Sequence, residues 1–389
     1  MSHIVHATEC LAAGTLAFLA QATRALVEQD VDQVLLFARR EDTPPGYAAM
    51  FHPRVRLQEL PSARDSLPAF CSALGQALRS QARDPQCRAI HLHSSRAGFV
   101  GRLALAGVRQ GPPILYSPHG LAYLDRRMWL PSMAFHALEW LAARVPATMV
   151  GCSASEAALL KTLSGNPTRV LENPVDPAFL ALQALPAERP TVVTIGRICY
   201  QKAPEAFAAL ATRFRIAEHP ARFIWVGSGD ARRTAELRAA GVEVTGWLDA
   251  AGVRGMLATA SVYVQTSRWE GMPLAVLQAL AAGVPCVVTD VVGSRDAVRH
   301  GITGFVMRHF DAMIAGVSRL LEDPAMRGQF SRAARRDAAE RFAPDVFGAA
   351  LAGLYSLGWR QRMRERRAVP RGHERRAAPR VPALQLPVG

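Results

Sequence analysis

Glu270 stands directly before a Gly and a Pro in the run EGMPLAVLQALAAGVPC (270–286), ahead of an apolar helical stretch, a Gly-Val-Pro turn and a strand. A carboxylate at the mouth of a helix, at the end of a strand–helix unit, stands where α/β proteins hold phosphorylated ligands. Upstream, Arg197 follows the apolar run Thr191–Ile195, and Lys202 precedes a helical pattern with Pro204 in its first turn, an early position that Pro favours. Arg offers phosphate a bidentate fork and Lys a movable point charge, and a helix N-terminus favours anions as well. Together the three side chains suit a reaction in which a phosphate leaves. The cations would take up its developing charge, and the carboxylate would hold hydroxyl groups. Taken singly, Arg197 and Lys202 read equally as surface cations, and Glu270 as a capping acid worth about 0.3–1 kcal/mol.

Other side chains carry weaker signals. His119 sits in Ser-Pro-His-Gly after a short apolar run, and His91 and His93 are spaced two apart, which puts them on one face of a strand. A metal site would need further ligands, and the sequence points to none. Gly227-Ser228-Gly229 and Gly246-Trp247 close two further apolar runs, and Asp30-Val31-Asp32 reads as a polar helix-to-strand turn.

These residues need strand ends to stand on. Apolar strands are expected at 4–7, 34–37, 89–92, 114–116 and 149–152, with helical patterns through Leu26 and from Gly98 to Val108. Gly14 is placed in the loop before the first helix. Ser153 reads as an N-cap with Glu156 completing a capping box. The Pro-rich stretch 174–190 reads as a linker, after which strands recur at 191–195, 223–226, 242–244, 262–265 and 287–289. Strands alternating with helices predict parallel sheets covered on both faces. The strands of the second half end in small or charged residues, so the carboxyl edge of that sheet is polar, which is where such sheets bind ligands. An amphipathic helix closes the pattern with Phe347, Leu351, Leu354 and Trp359.

The order and spacing of these elements resemble the retaining nucleotide-sugar glycosyltransferases of family 4, with the GT-B fold, over roughly residues 3 to 355. The resemblance implies an α/β protein of two Rossmann-like parallel-sheet domains facing a cleft. An acceptor-side domain would span 1–174, joined by a crossover helix at 344–360, and a donor domain 175–343. It implies that Arg197 and Lys202 hold the donor diphosphate and that Glu270 binds sugar hydroxyls. Backbone N–H groups near Gly271 and Met272, with Pro273 and Leu274, would approach the sugar and phosphate. His119 would meet the donor sugar, and His93 would line the acceptor side. Gly227, Gly229 and Trp247 would lie by the nucleotide. The family's paired glycines appear here as Ala13-Gly14, with Gly14 near the donor phosphates. Its second Glu, which holds the ribose hydroxyls, is replaced by Gln278. That residue lies eight positions after Glu270, about 12 Å if the intervening chain is helical. The implied reaction retains configuration by same-face attack, with the leaving phosphate taking the acceptor's proton, and uses neither metal nor cofactor. The implied partners are a nucleotide-sugar donor and a glycan or lipid-linked acceptor.

Composition bounds the rest. The 389 residues are 50% hydrophobic and carry a net charge of +14. From Arg360 to Gly389, nine arginines face two glutamates, a net +7. This tail (361–389) reads as disordered and basic. It suits an anionic membrane surface; nucleic acid is the competing ligand and is not expected, and a tail with no partner is the third reading. Six scattered cysteines without a CxxC pair suit a reducing cytosol. No secretory n-region or membrane-spanning run is evident, so a cytoplasmic protein is expected, peripheral on the inner face of the membrane. Residues 126–145 combine basic residues with Trp129, Phe135, Leu138, Trp140 and Leu141, either a core-facing helix or an interfacial patch. Three other readings stay open. One is a non-catalytic relative acting as a binding partner. Another is a dinucleotide-dependent oxidoreductase, suggested by Gly227-Ser228-Gly229 with Asp249 twenty residues on. The last is a sugar-nucleotide epimerase.

Overall fold

In the computed structural model the described residues are 2–108, 110–121, 124 and 129–355. The first half alternates strands β1 (His3–Thr8), β2 (Asp32–Ala38), β3 (Val55–Leu60), β4 (Cys87–His93), β5 (Ile114–Ser117), β6 (Thr148–Gly151) and β7 (Thr168–Val170) with helices. These helices are α1 (Ala13–Val27), α2 (Leu67–Arg83), α3 (Ser95–Leu105), α4 (Trp129–Ala142) and α5 (Ala154–Ser164). The strands form one parallel sheet in the order β3-β2-β1-β4-β5-β6-β7. After the short α6 (Pro177–Leu180), the second half repeats the plan with β8 (Thr191–Ile195), β9 (Arg222–Val226), β10 (Glu243–Gly246), β11 (Val262–Gln265), β12 (Cys286–Thr289) and β13 (Gly304–Met307). Its helices are α7 (Pro204–Ile216), α8 (Ala231–Ala239), α9 (Ala250–Ala258), α10 (Leu274–Ala281), α11 (Ser294–Ala297), α12 (Phe310–Glu322) and α13 (Pro324–Arg341). The second sheet is also parallel, in the order β10-β9-β8-β11-β12-β13.

The fold is thus the expected pair of Rossmann-like α/β domains. In each sheet the strand order reverses beside the first strand of the domain, between β1 and β4 and between β8 and β11. A crevice opens outside the strand ends at such a point. Thr8 and His93 end the first pair of strands; Ile195 and Gln265 end the second. The central strands are continuous apolar runs because both their faces are covered; Val192, Val193, Val262 and Tyr263 are fully buried.

The last described helix, α14 (Pro344–Leu354), returns to the first domain. Phe347 and Leu351 join the core of α1, Phe18 meets Phe347 edge to face, and Gln29 Nε2 donates to Gly348 O at 3.1 Å. Trp359 and the basic tail lie outside the described residues. Asp30 and Asp32 both take Arg54, each at 2.9 Å, in keeping with a polar turn. Gly14 falls inside the first turn of α1 and not in a preceding loop.

Candidate functional site

The loops after β8 and β11 are stitched into one platform. Gly196 ends β8 with φ +154°, and a Cβ there would come within 3.1 Å of the Lys202 stem. Ala203 holds a left-handed conformation at φ +49° and turns the chain into α7. Across the gap, Thr266 Oγ1 donates to Lys202 O at 2.9 Å, Arg268 N to Gln201 O at 2.8 Å, and Gln201 Nε2 to Trp269 O at 3.0 Å. This brings Lys202 Nζ to 2.7 Å from Glu270 Oε1. Gln265 Nε2 also donates to that oxygen at 3.1 Å, and is itself oriented by the Tyr263 hydroxyl at 2.9 Å. Glu270 is buried, with its carboxylate fixed from two sides.

Immediately after Glu270 the chain meets the first domain. A Cβ on Gly271 would lie 2.7 Å from Gly120 N and 2.9 Å from Cys152 Sγ, so only Gly allows this approach. Asn173 Nδ2 donates to Met272 O at 2.9 Å and braces the turn. Pro273 occupies the N-cap position of α10 and supplies no side-chain cap; Val276 N turns back to Pro273 O at 3.0 Å, which leaves the N–H groups of Leu274 and Ala275 to point toward an anion. Leu274 Cδ1 lies 3.8 Å from where a Gly14 Cβ would stand, so Gly14 and the start of α10 face one another. Gln278 sits one turn into α10, partly buried. Because α10 begins at Leu274, only half of the Glu270–Gln278 interval is helical, and the 12 Å spacing expected for a continuous helix does not apply.

On the opposite wall stands His119, at φ +55°, followed by Gly120 at φ +106°. Glu156 holds this loop. Its carboxylate accepts from Gly120 N and Cys152 N, both at 2.8 Å, and from the Cys152 thiol at 2.9 Å. Ser153 Oγ does cap α5 by accepting from Glu156 N. The expected capping box is therefore only half made, because the Glu156 side chain is drawn to Gly120 across the cleft wall. Burial pushes the Glu156 carboxyl above its ordinary range, against the pull of those donors.

His93 is fully buried and does not line the acceptor side as expected. It is the middle member of an imidazole chain that runs from the buried His6 to the partly buried His119. His6 Nδ1 lies 3.0 Å from His93 Nε2, and His93 Nδ1 lies 2.9 Å from His119 Nε2. His91 turns to the Tyr355 hydroxyl at 2.5 Å and Ser117 Oγ at 2.9 Å. Burial lowers the pKa of His6 to about 3 and of His119 to about 4, and holds His91 and His93 well below the usual range. The rings are neutral at pH 7, and each has one N–H to give. The third ligand that a metal would need is present after all, since His6, His91 and His93 have ring nitrogens within 4.8 Å of one another. However, every ring nitrogen of His91 and His93 already has a partner inside the protein, so these residues fit a hydrogen-bonded chain better than a metal.

Arg197 does not touch the Lys202–Glu270 pair. Its exposed guanidinium reaches across the cleft to within 3.7 Å of Asp42 of the first domain. The segment that carries it is held by the Gly227 loop. Cβ atoms on Gly227 and Gly229 would fall 2.1 Å from Gly196 O and 2.2 Å from Ile198 O. Gly227, Ser228, Gly229 and Gly246 line a cavity of about 280 Å³, and Trp247 beside it is 74% exposed. Asp249, which prompted the dinucleotide reading, accepts from Gly252 N at 2.8 Å and caps α9.

Gln265 and His6 support the site without having been singled out by sequence, whereas Glu156, expected in a capping box, and Asn173 hold the facing turns instead. The sequence signals for the first two were a polar residue ending an apolar strand (Gln265) and a His within one (His6).

Two family models match the chain, Glycosyltransferase Family 4 over residues 14–179 and Glycosyl transferases group 1 over 189–323. The D-inositol 3-phosphate glycosyltransferase of Thermobispora bispora is 30% identical over 400 residues, covering 89% of this chain and 90% of its own length. The UDP-Gal:alpha-D-GlcNAc-diphosphoundecaprenol alpha-1,3-galactosyltransferase of Escherichia coli is 28% identical over 265 residues, 61% of this chain and 67% of its own length. Among solved structures, sucrose-phosphate synthase of Thermosynechococcus elongatus superposes with a TM-score of 0.77 at 18% identity, covering 94% of this chain and 100% of that one. Anabaena HepE in complex with UDP-glucose gives 0.71 at 16% identity, covering 92% and 100%. These last two are likenesses of fold.

Proposed function

The chain belongs to the glycosyltransferases of group 1 and family 4, and from that premise we propose that it moves a sugar from a nucleoside diphosphate donor to an acceptor hydroxyl with retention of configuration. One observation carries this reading: the Lys202–Glu270 pair at the uncapped N-terminus of α10, pressed against the His119–Gly120 turn of the facing domain. A sugar diphosphate laid there would have its hydroxyls at Glu270 and its phosphates at Lys202 and the free N–H groups. Arg197 at the cleft mouth would close over the nucleotide side. In the reaction the bond between the anomeric carbon and the diphosphate oxygen breaks. The acceptor oxygen bonds to that carbon on the same face, and its proton passes to the departing phosphate. Lys202, Arg197 and the helix dipole would stabilise the charge that appears on the leaving group. These fixed cations supply what a metal would, so activity should survive a chelator.

Thermal shift with nucleoside diphosphates and their sugars tests the reading, because ligand bound to the native state raises the melting temperature. UDP-sugars lead the panel because the Escherichia coli relative takes UDP-galactose by its name and HepE holds UDP-glucose. A rise with one nucleoside diphosphate, lost in Lys202→Ala, is expected; no rise with any of them rejects the donor site. The substitution at Gln278 favours a second reading, a non-catalytic relative, which transfer or hydrolysis of the donor by the isolated protein would dismiss.

The pathway that fits is assembly of a cell-surface polysaccharide or glycolipid at the membrane. No described helix is long and apolar enough to cross a membrane. On α4, Met133, Leu138, Trp140 and Leu141 are exposed, and Arg144 lies over the Trp140 ring at 3.6 Å. The same helix buries Glu139 against Arg102 and Tyr116, so it is both core-facing and apolar outward, which suits a peripheral contact with lipid. The side chains of Trp129 and Phe135 lie outside the described residues.

A further inference from the structure

A cavity of about 410 Å³ opens at the carboxyl edge of the first sheet, lined by Arg39, Arg40, Arg64 and Arg96 together with Ser94 and His119. The loops after β2 and β3 and the first turn of α3 supply the four guanidinium groups, and one carboxylate, Glu9, shares the wall. The arginines have acid partners at the solvent rim. Arg39 meets Glu59 at 2.6 Å, Arg64 meets Glu41 at 3.1 Å and Arg40 meets Asp42 at 3.2 Å, with all three carboxylates exposed, while Arg96 reaches Glu9 only at 3.9 Å. Exposed pairs of this kind hold weakly. Each guanidinium has five donors, so most of the donor capacity remains for a ligand.

Ser94 makes the floor of the cavity unusual. It sits at φ +72°, a conformation that non-glycine residues avoid, and its buried Oγ has no hydrogen-bond partner. It occupies the N-cap position of the 11-residue α3 without capping it. Strain of this kind is kept where the surrounding structure has a use for it. A helix N-terminus, an unspent hydroxyl and four guanidiniums around one cavity suit a multiply charged anion. The cavity shares His119 with the donor platform, and Gly120 beside it abuts Gly271. A ligand here would therefore lie next to the transferred sugar.

We propose that the acceptor carries a phosphate or diphosphate group, and that Arg39, Arg40, Arg64, Arg96 and the N-terminus of α3 hold this group in the first-domain cavity. The proposal rests on the glycosyl-transfer reading for the word acceptor, but the anion site stands on its own lining. The phosphate could belong to a lipid carrier or to a soluble phosphorylated sugar or polyol; the recognition chemistry is the same.

The test is calorimetric titration of the full chain with inorganic pyrophosphate while UDP saturates the donor site. One further pyrophosphate should bind. The double variant Arg64→Gln/Arg96→Gln, whose side chains are half exposed and outside the core, should weaken it at least about tenfold with UDP affinity and melting temperature unchanged. Absence of a second binding event, or equal affinity in the double variant, overturns the proposal. Geranyl diphosphate binding more tightly than pyrophosphate would assign the phosphate to a lipid, and equal binding of the two to a soluble acceptor. Failure of every nucleoside diphosphate to bind would sink the donor reading alone. Pyrophosphate titrated into Lys202→Ala without UDP would still report the first-domain site.

Discussion

Lys202 Nζ stands 2.7 Å from Glu270 Oε1, so the cation proposed for the leaving phosphate and the carboxylate proposed for the sugar neutralise each other. A donor would have to part them, taking Lys202 toward phosphate and leaving Glu270 to sugar hydroxyls and Gln265. Lys202→Ala removes a preorganised charge from the place where negative charge develops, and kcat should fall by about 10²–10³. Glu270→Gln leaves Lys202 without its counter-charge and should also cost activity. Because the two act as a unit, the double variant should be little worse than Lys202→Ala alone. Steady-state kinetics on the four proteins checks this, and strictly multiplicative losses would show that the pair is not coupled.

Gln278 offers one acceptor oxygen where the family resemblance implies a carboxylate. If the donor ribose reaches α10, Gln278→Glu restores a charge-assisted hydrogen bond of about 1–2 kcal/mol, and the donor Michaelis constant should fall about ten- to thirtyfold with little change in kcat. A constant that stays the same or rises would mean that the surrounding residues have adapted to the amide.

The tight passage at Gly271 makes a different prediction. A Cβ there would stand 2.7 Å from Gly120 N and 2.9 Å from Cys152 Sγ, and the backbone of Gly120 is pinned by Glu156. Gly271→Ala should therefore push the donor loop away from the His119 wall. Since a misplacement of about 1 Å can cost about a hundredfold in rate, kcat should drop far more than nucleoside diphosphate affinity, which on the proposed reading rests chiefly on Lys202 and the nucleotide-side loops. Equal losses in both would point to general unfolding of the loop.

The double α/β architecture was legible because each central strand is a short apolar run between turn residues, and that pattern survives in one sequence. Edge strand β3 escaped notice because VRLQEL alternates with polar residues at the margin of the sheet. Lys202 and Glu270 could be paired from sequence because each follows a strand of the same sheet. Arg197 could not be placed, since its side chain turns outward to Asp42 on the other domain, a contact that no local pattern encodes. His93 was legible as a strand-end histidine but not as a buried one. That required His6, 87 residues earlier, on the neighbouring strand.

The histidine chain sets the acid limit of the fold. In an unfolded chain these imidazoles titrate near about pH 6.5, whereas burial brings His6 down to about 3 and His119 to about 4. Between those values the unfolded state binds more protons than the native state, so stability is lost as the pH falls. The loss begins near about pH 6.5 and continues to about pH 4 for His119 and about pH 3 for His6, at about 1.4 kcal/mol per pH unit for each histidine. His91 and His93, held low by the same burial, add to the slope. Glu156 works in the opposite sense, because burial raises its carboxyl and the native state takes up that proton first. With four histidines against one carboxyl, the net slope stays destabilising. Urea unfolding midpoints measured at intervals from about pH 7.5 to about pH 4.5 should fall steeply once below about pH 6.5. His6→Phe, which keeps the site filled but removes one titrating ring, should flatten the slope by one histidine's share. Midpoints that hold level to about pH 5 would mean that the rings take up protons in the folded state, and that the chain from His6 to His119 is not kept neutral by its burial.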